Sequence, residues 1–171
     1  MRPSHTPIID VPALEARVNE LAAEITGDYT GCPLHLLVVL KGGFIFAADL
    51  SRALRIPHTL DFIRATSYTG TESSGQPEIT WTGQSLTDLH VLLVEDILDT
   101  GLTAVHLLQW VQAQHPASLN ICTLLDKPAR RKVPIAAHYT GFTIPDHFVI
   151  GYGLDHDQHY RHLPAIHTLQ T

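Results

Sequence analysis

Residues 91–103 read V-L-L-V-E-D-I-L-D-T-G-L-T, an apolar run followed directly by a cluster of polar groups able to do chemistry. Glu95 and Asp96 are adjacent carboxylates; Asp99, Thr100, Gly101 and Thr103 follow, and a helical pattern runs on from Ala104. A turn of small residues opening a helix points unpaired N–H groups one way, and the helix dipole adds partial positive charge. A phosphate suits such a nest, with the Thr100 and Thr103 hydroxyls as extra donors and Gly101 free to take unusual dihedrals. Ionised carboxylates only accept hydrogen bonds, so Glu95 and Asp96 suit the vicinal hydroxyls of a ribose or a hydrated magnesium ion. A ribose 5-phosphate satisfies both ends.

Taken alone, an acidic pair at a strand end is ordinarily solvated charge, and Lys127 beside Pro128 reads as a turn lysine. Phe148 between His147 and Val149 reads equally well as a core residue. Among the twelve histidines, His156, His159 and His162 recur every third residue beside Asp155 and Asp157. On a helix that spacing would place them on one face, as a transition-metal site requires, but the segment is short and stops at Pro164. Surface histidines are the simpler reading.

The elements that must position these groups alternate. Asp10 can cap a helix in which Leu14, Val18, Leu21 and Ile25 recur at helical spacing, with Gly27 as its stop. Leu34 to Leu40 reads as a buried strand ending in Lys41-Gly42-Gly43, and Phe44 to Leu54 as a helix. Leu60 to Ala65 is a strand running into T-S-Y-T-G-T-E-S-S-G-Q-P, with Ile79 to Trp81 as a return strand. Residues 66–77 carry almost no apolar anchor, so a segment mobile without ligand and closing over it is expected. The strand at Val91 ends at the acidic pair, and its helix runs to about Gln114. Leu119 to Leu125, Phe148 to Tyr152 and Ala165 to Leu169 supply the remaining strands. Such alternation implies a mostly parallel sheet covered on both faces, whose strand ends meet along one edge.

With 171 residues, the chain reads as one domain over 1–171, able to build a core without disulfides or a structural metal. The apolar fraction of 44% and charged fraction of 16% are those of a compact protein. A net charge of −6 with no basic run argues against nucleic-acid binding. Cys32 and Cys122 form no C-x-x-C pair, and M-R-P-S-H-T-P has no apolar signal-peptide core. No stretch could span a bilayer, so a cytoplasmic protein without a membrane partner is expected.

E-D-I-L-D-T-G-L-T resembles the phosphoribosyl-diphosphate motif of the type I phosphoribosyltransferases, in the form found in the hypoxanthine-guanine branch. V-L-K-G-G-F is similar to that family's first loop, D-F-I-R-A-T-S-Y leads into its mobile second loop, and L-L-D-K-P-A-R-R matches a purine-binding segment. G-F-T-I-P-D-H-F-V-I-G-Y-G-L-D points specifically to the 6-oxopurine branch. The resemblance, over about Leu36 to Arg161, implies a twisted, mostly parallel α/β sheet flanked by helices, with a small hood of terminal segments. It also implies magnesium-dependent transfer of a phosphoribosyl group from phosphoribosyl diphosphate to hypoxanthine or guanine, in a homo-oligomer (dimer or tetramer).

Site residues follow from the same resemblance. Asp99 would be the general acid/base at purine N7, and residues 99–103, including Leu102, would hold the 5-phosphate. Some family members have a lysine at position 102, so a side-chain phosphate contact is absent there. Glu95 and Asp96 would face the ribose hydroxyls and the magnesium shell, and Asp155 a second magnesium. Lys41 and Gly42 would contact diphosphate through a non-proline cis peptide at Leu40–Lys41, with Arg161 contributing. Lys127 would donate to O6, Phe148 would stack on the base, Val149 would meet its amino edge through the backbone, and Ser67 and Tyr68 would travel with the lid. Two rivals remain: a same-fold transferase for xanthine or adenine, and a non-catalytic nucleotide- or RNA-binding regulator. Intact Asp99 and Lys127 and the acidic charge speak against the second, and the chain has no G-x-x-x-x-G-K-[ST] string.

Overall fold

The computed structural model describes residues 2–66 and 78–170. In chain order the elements are β1 (Arg2–Pro3), α1 (Val11–Asp28), β2 (Leu34–Leu40), α2 (Phe44–Ala53), β3 (His58–Thr66), β4 (Glu78–Trp81), β5 (His90–Leu98), α3 (Leu102–Gln112), β6 (Ser118–Asp126), β7 (Tyr139–Thr143), β8 (Val149–Ile150) and β9 (His167–Gln170). Asp10 caps α1 as expected, its side chain accepting from the Ala13 N–H at 2.9 Å. Gly27 does not end that helix, which runs one residue further; the left-handed turn falls at Gly31 instead.

Six strands form one sheet in the order β4-β3-β2-β5-β6-β7, parallel throughout except for the antiparallel pair β3–β4. Strands β1, β9 and β8 form a separate small sheet, so the terminal strand segments expected at 148–152 and 165–169 build a hood rather than extend the main sheet. Strand β7 was not expected. Its Y-T-G-F-T sequence has no apolar run, and it forms by pairing with β6 and by capping from α1. Arg17 of α1 donates from Nε to the Gly141 carbonyl at 3.0 Å and from Nη2 to that of Thr140 at 2.8 Å. Edge-strand carbonyls are thereby covered.

The continuous apolar runs of β2 and β5 pack on both faces of the sheet. Leu34, Leu36, Val38, Leu92 and Val94 join α1 and α2 on one side, with Phe46 and Leu50 fully buried there. Leu37, Val91 and Leu93 meet Leu107 and Val111 of α3 on the other. Side chains alternating across a pleated strand require this division, and covered faces suit a parallel sheet.

Strand β5 continues through the acidic pair to Leu98 and does not stop there, and α3 starts at Leu102, ahead of Ala104. Glu95 and Asp96 therefore lie within an ordered strand still paired with β6. His156, His159 and His162 lie on no helix; His156 and His159 face each other across a β-bridge. Among the described residues no helix is long and apolar enough to cross a membrane.

Replacing Arg17 with Met keeps its stem and removes both capping bonds. Urea unfolding is expected to show a loss of about 1–3 kcal/mol with an unchanged m-value, as for charge-assisted bonds to carbonyls. Equal midpoints would show that solvent caps β7 as well as Arg17 does.

Candidate active site

Strand β2 is flanked by β3 and β5, so the chain changes direction between β2 and β5, and their carboxyl ends form the crevice where open α/β sheets bind ligands. Gly42 follows β2 there, and a Cβ on it would sit 1.6 Å from Asp96 Oδ2. A Cβ on Gly153 would sit 2.1 Å from the Gly42 carbonyl oxygen. Three distant segments thus touch at Gly42 and Gly153, and at Gly153, with φ +102° and backbone against it, only glycine fits. The Leu40–Lys41 peptide is cis, as expected.

The turn after β5 is braced from behind. Arg131 Nη1 donates to the carbonyls of Leu98 at 2.9 Å and Asp99 at 2.6 Å, while its Nη2 pairs with Asp126. The Lys132 N–H donates to the Thr100 carbonyl at 2.9 Å, and the Lys127 N–H to that of Leu98 at 3.0 Å. The turn's carbonyls are thus drawn to one side, while the Leu102 N–H donates to the Thr100 hydroxyl oxygen at 3.4 Å. Gly101 has φ +83°, and a Cβ there would meet Ile135 Cγ2 at 2.5 Å, so backbone and packing both demand glycine. Leu102 is exposed and offers no polar group.

Glu95 is buried and Asp96 half-buried. Burial, reinforced by the Asp96 charge, raises the Glu95 carboxyl to about 8. Burial raises Asp96 to about 6, against backbone hydrogen bonds and the Arg161 charge that lower it. These are hard oxygen donors short of positive charge, a setting that fits magnesium, which binds through one or two carboxylates plus substrate oxygens. Among the described residues no three metal-ligating side chains converge on one point. Asp155, the other expected ligand, instead holds Arg161 Nη2 at 2.7 Å and accepts from the Gln158 N–H at 2.8 Å.

A second cluster surrounds Asp99. Arg130 Nε stands 3.0 Å from Asp99 Oδ1 but off the line of a hydrogen bond, so that buried oxygen has no donor. Arg130 Nη1 also lies 3.6 Å from Asp146 Oδ1, and Lys127 Nζ lies 3.4 Å from the same oxygen. Lys127 is only 5% exposed, an unusual state for a lysine. Phe148 is 55% exposed and packs edge-on against the His156 ring at 5.4 Å, so it is not a core residue. Its carbonyl accepts from the Leu169 N–H at 3.0 Å, and Val149 pairs with Thr168, so the hood carries this side of the site.

Lys41, Arg161 and Asp155 come together around Gln158, and Asp99 and Lys127 are joined through Arg130 and Asp146. Thr100 and Thr103 flank Gly101 at the start of α3. Ser67 and Tyr68, with the expected lid, lie outside the described residues. Four residues of these clusters escaped the sequence reading. Arg130, Arg131 and Asp146 were visible only as parts of the matched family segments, and Gln158 not at all, because a lone glutamine carries no pattern.

The phosphoribosyl transferase domain family matches residues 5–157. The hypoxanthine phosphoribosyltransferase of Salmonella typhimurium is 42% identical over 168 residues, covering 95% of this chain and 94% of the relative. The hypoxanthine-guanine phosphoribosyltransferase of Staphylococcus aureus is 46% identical over 153 residues, covering 88% and 86%. A crystal structure of the Bacillus anthracis hypoxanthine-guanine enzyme superposes with a TM-score of 0.91 at 42% identity, covering 96% of this chain and 98% of that one. A Trypanosoma cruzi hypoxanthine phosphoribosyl transferase gives 0.93 at 40% identity, covering 99% and 93%. The fold is therefore shared with solved enzymes over nearly its whole length, and this chain belongs to the phosphoribosyltransferase family, with its type I fold.

Proposed function

We propose that this protein transfers the 5-phosphoribosyl group of phosphoribosyl diphosphate to hypoxanthine, and to guanine, releasing diphosphate and forming IMP or GMP for purine salvage. The observation that carries the choice of base is Lys127: a buried ammonium beside Asp146, joined through Arg130 to a buried Asp99 oxygen that lacks a hydrogen-bond donor. A 6-oxopurine fits this pair, offering an O6 acceptor to Lys127 and an N7 proton to Asp99, with the exposed Phe148 ring as a face to stack on.

The turn from Asp99 to Thr103 holds the 5-phosphate through its amides. Lys41, Gly42 and Arg161 bind the diphosphate, and Glu95 and Asp96 meet the ribose hydroxyls. Glu95 and Asp96 would also serve a magnesium ion, and Asp155 a second one; bound magnesium supplies neutralisation of the leaving group's charge. Departure of diphosphate develops positive charge on the ribose ring, as in glycoside chemistry. The purine nitrogen attacks the opposite face, and Asp99 takes the N7 proton. We further propose a homo-oligomer, dimer or tetramer, in the cytoplasm, where the unpaired Cys32 and Cys122 thiols would stay reduced.

Asp99→Asn is expected to keep both KM values and lower kcat by about 10²- to 10⁴-fold, the usual contribution of general acid–base catalysis. Unchanged turnover at saturating substrate removes Asp99 from that role.

Adenine presents a donor where hypoxanthine presents O6. Burying it against Lys127 leaves two donors face to face, so kcat/KM for adenine should be at least about tenfold lower, as for a lost hydrogen bond in a buried site. Comparable rates with the two bases would overturn the 6-oxopurine assignment.

Removal of divalent cations with EDTA should abolish transfer, and magnesium should restore it. Full activity after exhaustive chelation would exclude the ion from the reaction.

A further inference from the structure

Lys41 and Arg161 lie far apart in sequence, yet their cationic ends converge on one neutral atom. The side-chain oxygen of Gln158 accepts from Lys41 Nζ at 2.9 Å and from Arg161 Nη2 at 3.3 Å. An amide oxygen has two acceptor sites, and both are occupied here by charged donors. The two nitrogens are consequently no more than about 6 Å apart, a separation at which like charges repel.

Gln158 is itself held in place. Its N–H donates to Asp155 Oδ2 at 2.8 Å, and its backbone is left-handed at φ +66°, following Asp157 at +49°. Arg161 is fixed independently by Asp155 Oδ1 at 2.7 Å and by the Gly153 carbonyl, which accepts from Nη1 at 2.7 Å. Gly153 packs on Gly42, the residue after Lys41. Arg161 is therefore anchored without Gln158, whereas the Lys41 ammonium reaches the cluster through it.

We propose that Gln158 is a positioning residue for the leaving group: its amide oxygen occupies the place of a diphosphate oxygen and keeps Lys41 turned toward Arg161 until substrate displaces it. This rests on the phosphoribosyl-diphosphate reading given above. A neutral amide suits the task. It adds no charge to a cluster in which Asp155 already pairs with Arg161, so Lys41 keeps its attraction for an anion, and it yields to a charged oxygen that makes stronger bonds to the same donors. Pre-positioning the lysine lowers the ordering cost of binding.

Two variants test this. Gln158→Asn keeps the amide and tolerates the left-handed backbone but falls one methylene short of the cations. Gln158→Glu keeps length and shape but adds a charge that neutralises the clamp and repels diphosphate. The KM for phosphoribosyl diphosphate is expected to rise about two- to tenfold in the Asn variant, the ordering cost of one long side chain that is no longer pre-positioned, and further in the Glu variant. In both, kcat and the KM for hypoxanthine should hold. Calorimetry with inorganic diphosphate should show the same order of affinity: wild type, Asn, then Glu.

Wild-type KM for phosphoribosyl diphosphate in the Glu variant overturns the proposal, because a purely structural role would be satisfied by the isostere. A common rise in both KM values with falling kcat does the same. If the wild-type protein transfers phosphoribose to no purine base, the functional reading fails on its own. The clamp then stands or falls on the diphosphate calorimetry, and equal affinities for wild type and Asn overturn it.

Discussion

Gly42 has no side chain, and the Asp96 carboxylate lies where one would be, 1.6 Å from the position of a Cβ. The Gly42 carbonyl oxygen is in turn packed under Gly153, where a Cβ would meet it at 2.1 Å. This contact joins the end of β2, the acidic pair in β5 and the loop beyond β8. It brings the cis peptide at Leu40–Lys41, Asp96 and the Asp155–Arg161 pair into one crevice. The rest of the site depends on it.

Two neighbouring regions of this crevice have opposite electrostatic character. Around Glu95 and Asp96 burial opposes charge, and the carboxyls are raised to about 8 and about 6. Around Gln158 two cations are held together on a single neutral oxygen. Buried carboxyls beside two cations, one of them already paired with Asp155, suit a ligand carrying both a metal and phosphate oxygens. The braced turn at residues 99–103 extends the same logic, since Arg131 and Lys132 draw its carbonyls away from the ligand side.

The residues proposed to read the base sit on the other side of the turn. Lys127 is buried where β6 ends, Asp146 lies within ion-pair distance of it, and Arg130 links that carboxylate to Asp99. In the proposed reaction the O6 donor and the N7 acceptor would be set by one chain of charges, so a change at Asp146 would be felt at both. Phe148 and Val149 hang from the hood, a sheet separate from the one that carries the turn at residues 99–103.

Much of this was legible in the sequence for local reasons. The apolar runs of β2, β5 and β6, the Asp10 cap, and the small polar turn opening α3 are short-range patterns, and periodicity with capping chemistry determines them. Parallel strands joined by helices then dictate that Lys41, Glu95 to Thr103 and Lys127 share one edge. Strand β7, the extension of β5 through its acidic pair, the passage of α1 beyond Gly27 and the β-bridge at His156 were decided by tertiary pairing, which overrides weak local preference. The partners of Arg131, Asp146 and Gln158 were equally out of reach. A side chain's hydrogen-bond partners lie across the fold, up to 117 positions away for Lys41 and Gln158, and no spacing rule connects residues whose proximity exists only once the sheet has formed.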